Sequence, residues 1–249
     1  MLLGVLVVRP ADPYKLVWSD EFTDNGAPDP TKWTYDVGNG SSGWGNNELQ
    51  YYTSRLDNAY VQDGILRIRA VRESYEGSDY TSARIKTMDL GDWTHGRIQI
   101  RARLANAAAR GTWAAARMLP TDHVYGPWPE SGEIDILEHV GHDPGRFHGT
   151  VHTGAFNHKD GTSSGNYTWA DLNQWHVHEI YWTPDQIAFI VDDFMFHTFR
   201  RVEPSTPQEW PFDQRFHIIL NLAVGGRTRS GNFNQGSKIE PGIVLSSDT

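Results

Sequence analysis

The chain has 249 residues, 31 acidic against 22 basic side chains, a formal net charge of −9 and no cysteine. Disulfides and thiolate metal sites are therefore excluded, and a nucleic-acid partner, which selects basic surfaces, is disfavoured. The length buries a substantial core and allows one large β domain or two small ones.

Met1–Val8 is the only apolar run near the start. It is far short of a membrane span and lacks the charged flank and small-residue cleavage site of a signal peptide. Tyr14–Phe22 reads as a first strand and turn. Asp24–Lys32, with Gly26, Pro28 and Pro30, reads as loop. Gly38–Gly43 matches a G-x-G-x-x-G pattern, but no βαβ unit surrounds it and a dinucleotide site is rejected. Gly43–Tyr52 is crowded with amides and aromatics. Two readings stay open there: a polar loop tied down by Asn side chains, or a cleft rim that hydrogen-bonds sugar hydroxyls.

Leu66–Ala70 and Arg97–Leu104 alternate apolar and charged residues, the pattern of half-buried antiparallel strands with arginines on a solvated face. In Phe147–His152, residues His148, Thr150 and His152 share one strand face. The i, i+4 histidines have helical zinc spacing, but the segment reads as strand and no Glu follows the first His, so no metal is assigned. Trp175–Trp182 and Gln186–Val191 are further strands, and Asp192-Asp193 turns the chain into Phe194 as a hairpin. Phe216–Val224 is apolar enough to be covered on both faces, which leaves Asn221 as a buried amide in need of partners. No segment keeps a helical period. Short strands punctuated by Gly, Pro, Asn and Asp predict an all-β antiparallel sandwich, read as one domain over 1–249.

The stretch that such a core does not explain is Ser131–Gly141. Glu133, Asp135 and Glu138 stand among Ile134, Ile136 and Leu137. Ionised carboxylates are costly to bury, so a sheet with one face in the core and acids lining a cleft fits better than a plain strand. Glu133 and Asp135 share a face at i and i+2, but Glu138 would point into the core. A β-bulge at Ile136-Leu137 adds one residue and turns Glu138 back beside the other two. Two carboxylates about 5–5.5 Å apart across a sugar–sugar bond are what retaining glycoside hydrolysis requires.

Glu133-Ile134-Asp135-Ile136-Leu137-Glu138 resembles the motif of glycoside hydrolase family 16, in its laminarinase (endo-β-1,3-glucanase) branch. Lichenases and xyloglucan transglycosylases of that family generally lack the extra residue, here Leu137. Further resemblance lies in Leu16–Phe22, Gly43–Tyr52, Tyr80–Arg84, Trp93–Arg97 and Ile219–Gly226, so that it is strongest over 15–226. It implies a jelly-roll β-sandwich of two antiparallel sheets with a concave substrate cleft. It also implies Glu133 as nucleophile, Asp135 as its hydrogen-bonding partner and Glu138 as general acid/base. Asn46, Arg84, Trp113, Trp128 and His152 match positions that line the glucan subsites.

The chain departs from the family pattern in three places. Arg117 stands where a trench Trp is usual, a cation in place of a stacking platform, suited to weaken one subsite or to recruit a charged sugar. The Trp often found after the paired glycines is missing at Gly225-Gly226-Arg227. The usual last strand is also missing, and residues 2–9 are expected to fill its slot. Gly4 would then replace the Asp of the family's calcium site, so a structural calcium is the one cofactor to consider and it is a ligand short.

The function implied is retaining endo-hydrolysis of β-1,3-glucosidic bonds in laminarin-like glucans, with mixed-linkage β-1,3-1,4-glucan as a second substrate. The alternatives are another polysaccharide, such as agar or carrageenan, or a non-catalytic β-glucan-binding protein on the same fold. The expected partner is a glucan polymer or oligosaccharide, with no nucleic acid and no membrane, bound by a secreted monomer.

Overall fold

A computed structural model describes residues 14–105, 109–228, 231–232 and 242–246. Two large sheets, antiparallel throughout, stack as a sandwich. The first runs in the order Thr34–Tyr35, Arg84–Lys86, Phe216–Val224, Thr112–Pro120, Glu133–Val140, Arg146–His152, Ser164–Trp169, with Asp92–Trp93 beside the start of Phe216–Val224. The second runs Phe194–Arg200, Gln186–Val191, His176–Trp182, Gly96–Ala105, Gly242–Ser246, Ile65–Arg69, Ala59–Gln62. A small third sheet holds Gln50–Tyr52, parallel to Ser78–Ser82 and flanked by Val71–Tyr75. Among the described residues no helix is long and apolar enough to cross a membrane.

The core lies between the two large sheets, and side-chain alternation sorts residues into or out of it. On Thr112–Pro120, Ala114, Ala116 and Met118 join the core. On Phe216–Val224, Ile218, Leu220, Leu222 and Val224 do so, while His217, Ile219, Asn221 and Ala223 take the opposite face. All nine residues of that strand are buried, as its unbroken apolar character predicts. Gly149 on Arg146–His152 admits the rings of the opposing sheet: a Cβ there would meet Phe189 Cδ1 at 2.6 Å and Phe196 Cζ at 2.9 Å.

The hairpin at Asp192-Asp193 forms with φ of 49° and 70°, the paired left-handed conformation that matches strand twist. Two expectations need correction. Tyr14–Phe22 pairs with no sheet. Side chains anchor it instead: Trp18 meets Trp33 and Trp93 edge-on at 5.9 and 5.4 Å, and Trp33 Nε1 donates to Asp20 at 2.7 Å. The arginine face of Gly96–Ala105 is half-buried, not openly solvated. Arg97 pairs with buried Glu179 at 2.9 Å, and the guanidinium groups of Arg101 and Arg103 lie over Trp175 at 4.4 and 5.3 Å. The strand assigned to residues 2–9, and Gly4 with it, lies outside the described residues. The slot between Gly96–Ala105 and Ile65–Arg69 is held by Gly242–Ser246.

Two histidines are sealed between the sheets against one ring: His139 and His178 lie 5.7 and 4.8 Å from Phe147. Burial, the largest cause in both, drops His139 to about 4 and His178 to about 3 from an ordinary 6.5. Both are therefore neutral when folded, and the unfolded chain takes up their protons first as pH falls. Stability from each is complete above 6.5 and declines below it, by up to about 1.4 kcal/mol per pH unit. Compared with a His178→Leu variant, the wild type is expected to lose unfolding free energy more steeply between pH 6.5 and 5 in urea titrations. Parallel pH curves for the two proteins would show that His178 carries none of the acid sensitivity.

Candidate active site

Gly132 sets the start of the acidic strand. Its φ of +89° turns the chain where a Cβ would press on Pro211 Cγ at 2.9 Å and Phe212 Cε1 at 3.0 Å. Glu133–Val140 then pairs with Arg146–His152 as Glu133↔His152, Asp135↔Thr150 and Glu138↔His148. Three residues on one strand advance against two on the other, so the bulge lies between Asp135 and Glu138. The Thr112–Pro120 side shows the same slip, with Arg117↔Asp135 followed by Ala116↔Leu137. Ile136 and Leu137 both face the core, and Glu133, Asp135 and Glu138 share the opposite face.

That face carries a continuous register row across six strands. Arg84 pairs with Asn221, Asn221 with Ala115, Ala115 with Glu138, Glu138 with His148, and His148 with Tyr167. Ala115, the smallest member, stands beside Glu138.

The two glutamates are held by different donors. Glu133 Oε1 accepts from Arg117 Nη1 at 2.9 Å, and its Oε2 accepts from Trp128 Nε1 at 2.7 Å. Glu138 Oε1 accepts from Trp113 Nε1 at 3.0 Å and from Arg117 Nη2 at 3.4 Å. Asp135 hydrogen-bonds to His152, whose Nε2 lies 3.3 Å from Oδ2. Arg117 Nη1 stands 3.8 Å from the other oxygen, Asp135 Oδ1.

The electrostatics separate the three acids. Burial pushes Glu133 upward, but the charges of Arg117 and His152 and the N–H donors of Trp128 and Arg117 outweigh it, and its pKa falls below the ordinary value. Burial and then the charge of Glu133 raise Asp135. Burial and then Asp135 push Glu138 up to about 8, against the opposing pull of Arg117 and His152. One glutamate thus favours the carboxylate and the other the acid, the division of labour that acid–nucleophile pairs need. Burial works against a charged His152, yet its bond to Asp135 and the neighbouring carboxylates raise it.

The remaining expected residues are distributed along the same face. Arg84 Nε pairs with Asp36 at 2.9 Å and its guanidinium lies 4.8 Å from the Trp44 ring. Asn46 closes a tight turn over Gly43–Asn47, where Glu48 N donates to Gly43 O at 3.1 Å, and its Nδ2 reaches Glu48 Oε1 at 3.5 Å. Both open readings of Gly43–Tyr52 therefore have a physical basis, since side chains tie the turn at the end of the cleft. Trp113 is buried with its N–H on Glu138. The Trp128 ring is flanked by His158 at 5.2 Å and Lys159 Nζ at 4.5 Å. Asn221 finds one partner, its Nδ2 donating to Tyr52 Oη at 3.2 Å.

Arg117 departs most from expectation. Its side chain is 10 % exposed and turned into the acid row, with its guanidinium on Glu133 and Glu138. Tyr167 and Trp169 were not anticipated. They share the cleft face of the edge strand Ser164–Trp169, 44 % and 58 % exposed, with the Arg146 guanidinium 4.4 and 4.8 Å from their rings. The Tyr-x-Trp spacing at i and i+2 was the available signal.

Glu133, Asp135 and His152 each offer a ligand atom within 4.8 Å of the others. Arg117 already stands against both carboxylates and answers their charge, which opposes a divalent cation there.

Comparison with known proteins agrees with this geometry. The model for Glycosyl hydrolases family 16 matches residues 42–240. A beta-glucanase of Rhodothermus marinus is 51% identical over 225 residues, covering 87% of this chain and 77% of that protein. The X-ray structure of the laminarinase from Rhodothermus marinus superposes with a TM-score of 0.87 at 48% identity, covering 93% of this chain and 94% of that one. SCLam, a non-specific endo-beta-1,3(4)-glucanase crystallised with a glucan oligosaccharide, superposes with a TM-score of 0.86 at 37% identity over 95% and 93% of the two chains. The sandwich is thus the jelly roll of these enzymes, and the chain belongs to glycosyl hydrolase family 16.

Proposed function

We propose that the protein is a retaining endo-β-1,3-glucanase that cleaves laminarin-like glucans and also accepts mixed-linkage β-1,3-1,4-glucan. The observation that carries this reading is the pair Glu133 and Glu138 on one cleft face, spanned by a single guanidinium and held with opposite proton preferences. One guanidinium that reaches both carboxyls supports the close pair of a double displacement.

In the first step Glu133, ionised, attacks the anomeric carbon while Glu138 gives its proton to the departing glycosidic oxygen. Two N–H donors occupy Glu138 Oε1, so the proton belongs on Oε2. In the second step Glu138, now a carboxylate, takes a proton from water as that water displaces Glu133. Asp135, raised and hydrogen-bonded to His152, orients the row from its middle.

The relatives named above support the substrate class, one of them by a bound oligosaccharide. The sheet row supports a chain lying across the strands, with Arg84 and Asn46 toward one end and Tyr167 and Trp169 toward the other. A polymer too large to enter a cell supports an extracellular site of action.

Assayed for new reducing ends on laminarin, lichenan, agarose and carrageenan, the wild type is expected to act on laminarin first, and Glu133→Ala on none. Glucan binding without cleavage by the wild type would favour a recognition protein, and an inverted first product would refute Glu133 as nucleophile. Deleting Leu137 removes the bulge residue and turns Glu138 toward the core. Turnover is expected to vanish, and normal turnover in the deletion would mean that the bulge does not aim the acid. Trp169→Ala is expected to raise KM for long laminarin by about 10-fold, the effect of losing roughly 1.4 kcal/mol of stacking, with kcat on short oligomers retained. An unchanged KM would remove Trp169 from the substrate path.

A further inference from the structure

In the glucanase reading one buried cation contacts both glutamates. Arg117 occupies the strand beside the acids, opposite Asp135 in register. Its Nη1 is 2.9 Å from Glu133 Oε1 and its Nη2 is 3.4 Å from Glu138 Oε1. The guanidinium lies 5.5 Å from the Trp113 ring, the same indole whose N–H holds Glu138. The residue is buried beside the acids, 8 % exposed. We propose that Arg117 is a positioning residue that keeps one fixed cation in contact with whichever glutamate carries the negative charge, and so answers the buried anion in both half-reactions. This rests on the hydrolase reading above.

The charge travels between the two ends of that fork. When a Glu133 oxygen bonds to the anomeric carbon, the glycosidic C–O bond breaks and the leaving oxygen takes the Glu138 proton. Glu133 becomes a neutral ester and Glu138 an anion. When water attacks, its proton returns to Glu138, the ester C–O bond breaks, and Glu133 is again the anion. A cation bonded to only one glutamate would stabilise one state and oppose the other. Arg117 touches both, so neither the free enzyme nor the covalent intermediate is left with an unanswered buried anion. A tryptophan, which the resemblance places at this position, has no charge and cannot do this.

Other charged groups are near enough to matter. Asp135 and Glu48 act on the guanidinium along with the two glutamates. His152 and His148 face the acids from the neighbouring strand. Tyr52 and Arg84 lie on the Glu48 side, and His158 and Lys159 lie over Trp128. Arg84 is committed to Asp36, and Lys159 sits on the indole, so neither replaces Arg117 between the glutamates.

The test is the pH dependence of kcat/KM on laminarin for the wild type, Arg117→Trp and Arg117→Lys. The acid limb reports Glu133, which must lose its proton, and the alkaline limb reports Glu138, which must keep it. Removing the cation makes ionisation harder for both, so both limbs of Arg117→Trp are expected to move upward by about one pH unit or more. Arg117→Lys keeps a charge but not the fork. Its limbs are expected near the wild-type positions, with a lower kcat. If Arg117→Trp turns over too slowly, alkylation of Glu133 by an epoxyalkyl β-glucoside as a function of pH reads the same ionisation. Limbs of Arg117→Trp that coincide with those of an active wild type would overturn this proposal alone. A wild type inert on every glucan would overturn it together with the hydrolase reading.

Discussion

Two buried carboxylates and a third that is partly buried can share one strand face only if something answers their charge. Desolvation raises the free energy of each anion, and each anion raises it further for the next. The described structure meets this with one guanidinium, one imidazole and two indole N–H groups, delivered from different segments. Arg117 and Trp113 come from one neighbouring strand, His152 from the other, and Trp128 from the loop before Gly132. The arrangement of the first sheet is therefore also an electrostatic arrangement. Taking away one partner of such a buried pair typically costs about 3–5 kcal/mol, because the other charge stays behind.

The bulge serves the same constraint from within the acidic strand. A regular strand would place Glu138 on the core face with Ile134 and Ile136, where nothing could compensate it. One additional residue moves it to the polar face and leaves Ile136 and Leu137 both apolar and both buried. The resulting site is asymmetric. Glu133 receives a donor on each oxygen, while Glu138 receives both donors on one oxygen and keeps the other for a proton. Burial and the charge of Asp135 raise Glu138, while the charges of Arg117 and His152, together with these donors, hold Glu133 down, and so the acid is separated from the nucleophile.

Much of this was legible in the residues. Alternation revealed the half-buried strands, and the spacing Glu133, Asp135, Glu138 required a bulge at the position where it occurs. What escaped sequence reasoning depended on direction. Arg117 was visible as an anomaly, but whether its long side chain reached solvent or acids was decided by the pairing of its strand with the acidic one. That His152 meets Asp135 was decided by the register of the neighbouring strand. Tyr14–Phe22 has strand composition but joins no sheet, and it is pinned by Trp18 and Asp20 instead. Tyr167 and Trp169 lie on an edge strand whose polar residues weaken the apolar alternation.

The row from Arg84 to Tyr167 has a further consequence. It crosses the strands, so its step is the spacing between neighbouring chains, about 4.8 Å, and not the rise along any one of them. The first sheet acts as a ruler whose divisions are fixed by backbone hydrogen bonds, and loop geometry does not set its scale. A polymer lying across it meets residues drawn from six strands scattered between positions 84 and 224. Substituting a side chain changes what is read at one division. Changing the intervals would require the sheet itself to re-pair, which is why diversification on such a scaffold falls to side chains and edges while the measuring scale persists.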